Sequence, residues 1–264
     1  MRSEARHRFL DVTNTHAELR EHLRRSVGYG RRAALEDAVR QIETQHVLVF
    51  LGPEGCEQAR LAHSIHRAST RWEREFVTID RRTVLGASAE RALLSQAHQG
   101  TVFVDVAKLD PPARTRGTLL GPALVRGLLG WYRALDVRAI FSASDAGQLA
   151  RIIGGAAYGD AIRVSAVATR PREVPQIVQS MLAEFGSGHR LDDLDSGLGK
   201  RMHLGRWTRN LESLRNHIAL LDRYLTNGSV RSAARAIGCS VSSAHEQLAR
   251  VYGIGSVGKQ RRRS

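Results

Sequence analysis

Short apolar runs separated by segments of helical length are the feature that most limits what this 264-residue chain can fold into. The runs are Val47–Leu51, Phe76–Ile79, 101–106 and 137–143. Continuous apolar runs of this length are typical of strands buried on both faces of a sheet, and parallel strands need long crossover connections. The intervening segments 59–69, 89–98 and 119–134 have helical character. The sequence therefore predicts an α/β fold with a parallel sheet and helices on both faces.

The chain changes character beyond residue 171, where strand-like runs give way to helical segments. Segments 174–185 and 211–225 predict helices, with a connector rich in Gly and Asp over 186–200. Before the first strand, 16–26 and 33–43 also predict helices. We expect four parts: a lead-in over 1–30, an α/β domain over 31–170, a small helical lid over 171–225, and a terminal unit over 226–264.

The terminal unit has the pattern of a helix-turn-helix. A first helix over Val230–Ile237 has Ala233 and Ala234 on one face, Gly238 follows it, and a second helix is predicted from 242 to about 252. A tight turn between two helices needs small residues at the crossing and a glycine able to take positive φ. Ser240 or Ser242 can cap the second helix.

Positive charge is concentrated beside this motif. The chain has a formal net charge of +14, and residues 200–264 contain 13 Lys or Arg against three acids. Such a surface attracts polyanions, so double-stranded DNA is the expected partner. An ordinary pair of terminal helices with a solvated basic tail is the alternative. The residues expected to contact bases and phosphates are Arg231, Arg235, Ser242, Ser243, His245, Gln247 and Arg250.

A glycine-containing loop follows the first strand, as in phosphate-binding loops. Gly52 and Gly55 are in place, but the final Gly-Lys-Ser/Thr that binds phosphate and magnesium is replaced by Glu57, Gln58 and Ala59. Asp105 ends a strand and could ligate magnesium, although Asp is also common at turns. We expect a vestigial nucleotide site with no catalytic residues and no cofactor; ATP binding is the alternative, and the replaced positions disfavour it.

The cysteines and the N-terminus bear on location. Cys56 and Cys239 lie far apart in unrelated contexts, which favours reduced thiols over a disulfide or a metal site. The first ten residues are charged and have no apolar segment behind them, and no run approaches transmembrane length. These observations predict a cytoplasmic protein without a membrane partner.

Taken in order, these motifs resemble the AAA+ activators of sigma-54 RNA polymerase, also called bacterial enhancer-binding proteins. Segment 52–59 is similar to the family's Gly-Glu-Ser-Gly-Thr-Gly-Lys-Glu, and segment 100–105 to its Gly-Thr-Leu-Phe-Leu-Asp. Arg170 and Pro175 match a later Arg-containing segment, and Trp207, Asn210 and Leu214 match the lid. The resemblance implies an AAA+-like sheet, a helical lid and a Fis-type helix-turn-helix at the C-terminus.

The departures from the family concern catalysis. The P-loop lysine is Gln58, the glutamate after the Walker B aspartate is Val106, and the lid arginine falls at Glu212. The family's Gly-Ala-Phe-Thr-Gly-Ala loop, which contacts sigma-54, should lie between residues 80 and 100 and is absent from that sequence. The resemblance with these losses implies a pseudo-ATPase.

Three functions follow as hypotheses. The favoured one is a DNA-binding transcription regulator on a catalytically degenerate AAA+ scaffold, expected to form a homo-oligomer. The second is an ATP-dependent activator of sigma-54 RNA polymerase. The third is a non-catalytic partner that modulates intact AAA+ activators.

Overall fold

A computed structural model describes residues 2–79, 92–93, 95–109, 136–153, 160–191 and 210–252. The chain divides into two compact units, Met1–Ala166 and Val167–Ser264. Helices α1 to α5 and strands β1 to β5 belong to the first unit, and helices α6 to α9 to the second. In chain order they are α1 (Arg2–Val27), α2 (Arg32–Thr44), β1 (Val47–Leu51), α3 (Gln58–Arg67), β2 (Phe76–Ile79), β3 (Thr101–Asp105), α4 (Val106–Leu109), β4 (Arg138–Ala143), α5 (Ala146–Ile153), β5 (Ile162–Arg163), α6 (Val174–Glu184), α7 (Asn210–Asn227), α8 (Val230–Ile237) and α9 (Val241–Tyr252).

The five strands form a parallel sheet in the order β2-β3-β4-β1-β5. β4 therefore lies between β1 and β3, and the register pairs Val49 with Phe141 and Asp105 with Ser142. The predicted fold class is confirmed: the sheet is parallel and has helices on both faces. Strands β1 and β2 have the predicted bounds, β3 ends one residue earlier than expected, and β4 begins one residue later.

The alternation of side chains along each strand produces two apolar layers, one on each face of the sheet. On one face, Leu48 and Phe50 of β1 pack with Leu61 and Ile65 of α3. On the other face, Val49 and Phe141 pack with Leu149 of α5. Each strand thus buries both of its faces, which is why its sequence is continuously apolar.

Helix α1 begins earlier than the helix predicted over 16–26, and its second half packs against the sheet. Leu19, Leu23 and Val27 are buried in the same apolar layer as α3. The helix also bonds to the end of β5, because the Ser165 amide donates to the carbonyl of Ser26 at 2.8 Å. This half of the expected lead-in is therefore part of the core of the first unit.

The described part of the second unit, residues 167–191 and 210–252, is helical. Leu211, Leu214 and Ile218 of α7 are fully buried. The buried Arg215 donates two hydrogen bonds to the Glu184 carboxylate, at 2.9 and 2.8 Å. A bidentate pair of this kind satisfies a guanidinium that burial would otherwise leave without water.

Three predicted segments lie partly or wholly outside the described residues: the helix over 119–134, part of the helix over 89–98, and most of the connector over 186–200. Helix α7 runs through residue 227, across the boundary expected between lid and terminal unit, and the four-part division stays a prediction. In the described part of the chain, no helix combines the length and the apolar character that a membrane span requires.

Candidate nucleic-acid interface and nucleotide-type crevice

In the first unit, the carboxyl ends of the neighbouring strands β1 and β4 are where an open parallel sheet has its ligand-binding crevice. The chain leaves β1 for α3 on one face of the sheet and leaves β4 for α5 on the opposite face. In open parallel sheets, ligands bind where neighbouring strands send their connections to opposite faces. Two features lie at this carboxyl end of the sheet: the loop that follows β1, and Asp105, the last residue of β3.

The loop after β1 needs glycine at Gly52 because backbone passes very close to it. A Cβ there would lie 2.3 Å from the Val164 carbonyl oxygen, and the Gly52 amide donates to Ala143 at 3.0 Å. Further along the loop, Gly55 has φ of 78° and Glu57 has φ of 61°. The loop therefore has two residues in the left-handed conformation, and one of them, Glu57, is not a glycine.

Gln58 and Glu57 fill positions that a phosphate-binding loop gives to lysine and glycine. The Gln58 side-chain amide donates to the carbonyls of Gly52 and Pro53, at 3.3 and 3.0 Å. The Glu57 side chain is only 5% exposed and its carboxylate lies 4.0 Å from Nε of Arg60. The Gln58 side-chain amide is thus bonded to carbonyls of the loop itself. The Glu57 carboxylate lies at the start of α3, where it would repel a phosphate.

Asp105 has an internal cationic partner. Its Oδ2 lies 3.0 Å from Nζ of Lys108, while its Oδ1 accepts from the Lys108 amide and the Ser142 hydroxyl, both at 3.4 Å. The Asp105 side chain is 13% exposed. The ammonium of Lys108 therefore lies where a divalent cation would have to approach this carboxylate.

The polar residues after β4 bond to the start of α5. The Asp145 carboxylate accepts from the Gln148 amide, and the Gln148 side chain accepts from the Ser144 amide, both at 2.8 Å. These two bonds resemble a capping box, except that the Gln148 side chain accepts from the amide one residue before Asp145. Among the described residues, no group of three or more His, Cys, Asp or Glu side chains could hold a metal ion.

At the opposite end of the sheet, where β3 and β4 begin, the side chains are basic. Nδ1 of the buried His66 lies 3.0 Å from the Thr101 hydroxyl, and burial lowers the pKa of His66. The Arg71 guanidinium donates to the carbonyl of Gln99 at 3.2 Å and to the Asp136 carboxylate at 2.6 Å. Arg71 therefore joins the turns before two neighbouring strands.

Helices α8 and α9 are joined by a tight turn with capping at both ends. Gly238 has φ of 72°, and the Cys239 amide after it donates to Ala234 at 3.0 Å. The Ser229 hydroxyl accepts from Ser232 at the start of α8, and the Ser240 hydroxyl accepts from Ser243 at the start of α9. Of the two predicted caps for the second helix, Ser240 is the one observed.

Four apolar residues of these helices face inward. Ala233 and Ala234 of α8 and Ala244 and Leu248 of α9 have no exposed surface, and both helices contact α7. Small residues allow helix axes to approach closely, as the sequence pattern predicts.

The expected DNA-contacting residues divide into two groups. Arg231, Arg235, Ser242 and His245 are exposed. Ser243 and Gln247 are half-buried, and the Gln247 side-chain amide donates to the Ser243 hydroxyl at 3.2 Å. The side chain of Arg250 lies outside the described residues, as do Trp207 and the tail 253–264.

Two residues of these sites are not among those expected from the sequence. Lys108 pairs with Asp105 one helical turn away, a spacing that could have suggested the contact. Val241 opens α9 and is 44% exposed. An apolar residue directly after the capping serine was the available signal for it.

Comparison with known proteins supports the fold. NtrX from Brucella abortus shares 18% identity over 87% of this chain and 67% of that chain, with a TM-score of 0.50. The same protein in complex with ATP shares 16% identity over 83% and 68%, with a TM-score of 0.45. A Walker-type ATPase of Pyrococcus abyssi shares 13% identity over 89% and 76%, with a TM-score of 0.47. No family model and no curated protein matches the chain. The likeness concerns the fold alone, a parallel sheet surrounded by helices.

Proposed function

We propose that this chain is a DNA-binding transcription regulator in which an AAA+-like α/β unit acts as a scaffold and does not hydrolyse ATP. The observation that carries the proposal is the α8–α9 pair, a capped helix pair with a left-handed glycine at its turn and exposed arginines on its first helix. Helix-turn-helix units place the first helix across the phosphate backbone and the second in the major groove.

The charges of α8 support this orientation. Arg231 and Arg235 are one helical turn apart and both are exposed. Two guanidinium groups at this spacing can contact neighbouring phosphate oxygens. Ser242 and His245, exposed on α9, have hydrogen-bonding groups that suit base edges.

The crevice supports the absence of hydrolysis. ATP hydrolysis needs a cationic group on the β- and γ-phosphates and a carboxylate free to hold magnesium. In this chain the Gln58 amide bonds to the loop's own carbonyls, and the Asp105 carboxylate already has the Lys108 ammonium at 3.0 Å. A nucleotide with its metal would have to displace both internal partners.

The same proposal includes the partners. A homodimer on a two-fold DNA site is expected because helix-turn-helix units usually bind as dimers. RNA polymerase or other AAA+ activators are the proteins on which such a regulator would act, and the cytoplasm is where it would meet them.

Selection of random duplex DNA with the full chain tests the DNA-binding half of the proposal. We expect a reproducible preferred site. Replacing Arg231 and Arg235 together with Gln should weaken binding to that site by about tenfold or more, since each phosphate contact contributes to affinity. The matched control is Arg32→Gln with Arg40→Gln, which removes the same charge from exposed side chains of the first unit. Equal loss in both pairs, or no duplex binding, would overturn the proposal.

Nucleotide binding and turnover test the other half on the same preparation. The unaltered chain should neither bind ATP with magnesium nor hydrolyse it. The variant combining Glu57→Gly and Gln58→Lys restores the residue types that phosphate binding needs, so it should gain ATP binding. ATP turnover by the unaltered chain, lost in Asp105→Ala, would instead favour the ATP-dependent activator.

A further inference from the structure

Val241 is an exposed apolar side chain at the start of α9. It is 44% exposed, and the other large apolar side chains exposed among the described residues are Trp72 and Leu225, which lie outside α8 and α9. Val241 follows Ser240, whose hydroxyl caps the helix by accepting from Ser243 at 3.1 Å. The cap fixes the first turn, so the position of the isopropyl group is well defined.

The neighbours of Val241 on α9 have base-reading chemistry. His245 is one turn further on the same side of the helix, and Ser242 lies beside it; both are exposed. Ser243 and Gln247 bond to each other at 3.2 Å and are half-buried. The exposed surface of the first two turns therefore contains Val241, Ser242, His245 and Glu246.

Electrostatics separates the roles of the two helices. Residues 241–249 contain no Lys or Arg and include one acid, Glu246. The exposed guanidinium groups are on α8, at Arg231 and Arg235. Within α8 and the first two turns of α9, attraction to phosphate thus comes from α8, while these turns of α9 can contribute selectivity but little charge-based affinity.

We infer that Val241 selects a thymine by contacting its C5 methyl group in the major groove, an inference that rests on the proposed DNA-binding function. An isopropyl group neither donates nor accepts a hydrogen bond, and the thymine methyl is the apolar group that a base pair presents in this groove. Burying the two groups against each other removes apolar surface from water. A cytosine or a purine at the same position leaves Val241 against polar atoms.

The experiment is a double-substitution cycle on the selected duplex. Each thymine of a half-site is replaced in turn by deoxyuridine, which lacks only the methyl group, and affinities are measured for the unaltered full chain and for Val241→Ala. At one position we expect deoxyuridine to weaken binding of the unaltered chain by about fourfold. Val241→Ala should weaken binding to the thymine site by a similar factor. This variant should bind the deoxyuridine site no more weakly than it binds the thymine site.

Control variants separate this role from loss of folding. Leu225→Ala, which removes an exposed apolar side chain from α7, should preserve the discrimination between thymine and deoxyuridine. Val241→Thr retains the branched shape and one methyl group, so it should show intermediate discrimination. Because Val241 is 44% exposed, its thermal unfolding should be unchanged. The salt dependence should be the same in all three variants, because none removes a phosphate contact.

The outcomes for the two proposals differ. If the chain binds a selected duplex but Val241→Ala discriminates thymine from deoxyuridine as well as the unaltered chain does, the inference about Val241 is wrong and the proposed function stands. If no thymine in the half-site responds to removal of its methyl group, the inference is equally overturned. If the chain binds no duplex at all, both proposals fail.

Discussion

The Lys108 ammonium lies 3.0 Å from Oδ2 of Asp105 at the carboxyl end of β3. The sequence suggests a magnesium ligand for an aspartate in this position, yet here its charge is balanced by a residue one helical turn away. The pair depends on the short helix α4, which turns the chain back over the strand end. This contact, with the Gln58 amide closed onto its own loop, is the structural basis for proposing a scaffold without ATP hydrolysis.

Asp105→Asn tests whether the carboxylate has a catalytic or only a local role. The amide keeps the shape but loses the ion pair. Since Lys108 is 58% exposed, the free energy of unfolding should fall by no more than about 1 kcal/mol. Affinity for the selected duplex should not change. Urea unfolding and a DNA titration measure the two quantities; a large loss of DNA affinity in a folded variant would contradict the scaffold role.

Glu57 has an unfavourable backbone conformation whose cost can be measured. Its φ of 61° suits glycine, whereas a residue with a Cβ is strained there. Glu57→Gly and Glu57→Ala both remove the carboxylate, so the difference between their free energies of unfolding measures the cost of the backbone conformation. Glu57→Gly should be more stable than Glu57→Ala by about 1 kcal/mol in chemical denaturation. Equal stability would show that the loop has a different conformation.

Gly238 tests the turn between α8 and α9. Its φ is 72°, and a Cβ would meet nothing within 4 Å, so substitution acts through the backbone alone. Gly238→Ala should destabilise the second unit by about 1 kcal/mol, and Gly238→Asn by less, because Asn tolerates left-handed conformations.

Gly188 provides the control for that prediction. A Cβ there also meets nothing within 4 Å, and its φ is outside the left-handed range. Gly188→Ala should therefore leave stability unchanged or raise it by about 0.5 kcal/mol. Thermal unfolding of the three variants is the measurement, and equal effects of Gly188→Ala and Gly238→Ala would argue against the left-handed turn.

The sequence predicts the elements whose signal is local. Val47–Leu51 is apolar throughout because both faces of β1 are buried. In Val230–Ile237 the buried and half-buried apolar residues recur at helical spacing: Val230, Ala233, Ala234 and Ile237. Strand β5, Ile162–Arg163, was not predicted, since two residues contain no periodicity and their pairing with Phe50 and Leu51 is non-local.

The site was predictable to a similar extent. The positions of Gly52, Asp105 and Gly238 follow from strand ends and turn chemistry. The partners of Gln58 and Asp105 depend on how the loop and α4 fold back, which residue type alone does not specify. Exposure separates Ser242 from Ser243, although both are serines in the same helical turn.

Two histidines whose pKa is lowered predict a dependence of stability on pH. Burial lowers the pKa of His66 and of His217 below the ordinary value of 6.5. The unfolded chain therefore binds more protons than the folded chain as pH falls through 6.5, and the free energy of unfolding should decrease with it. Thermal unfolding from neutral to mildly acidic pH measures this decrease. The variant His66→Gln with His217→Gln should show a flatter profile, and an unchanged profile would contradict the assignment.

The most direct test of the central claim is the salt dependence of full-chain binding to its selected duplex. If two protomers each place Arg231 and Arg235 on phosphates, the logarithm of affinity should fall against the logarithm of salt concentration with a slope of about −3.6 or steeper. Arg235→Gln should make that slope shallower by about 1.8, because each protomer then neutralises one phosphate fewer. A slope near zero, or a slope that Arg235→Gln leaves unchanged, would contradict the proposed mode of DNA recognition.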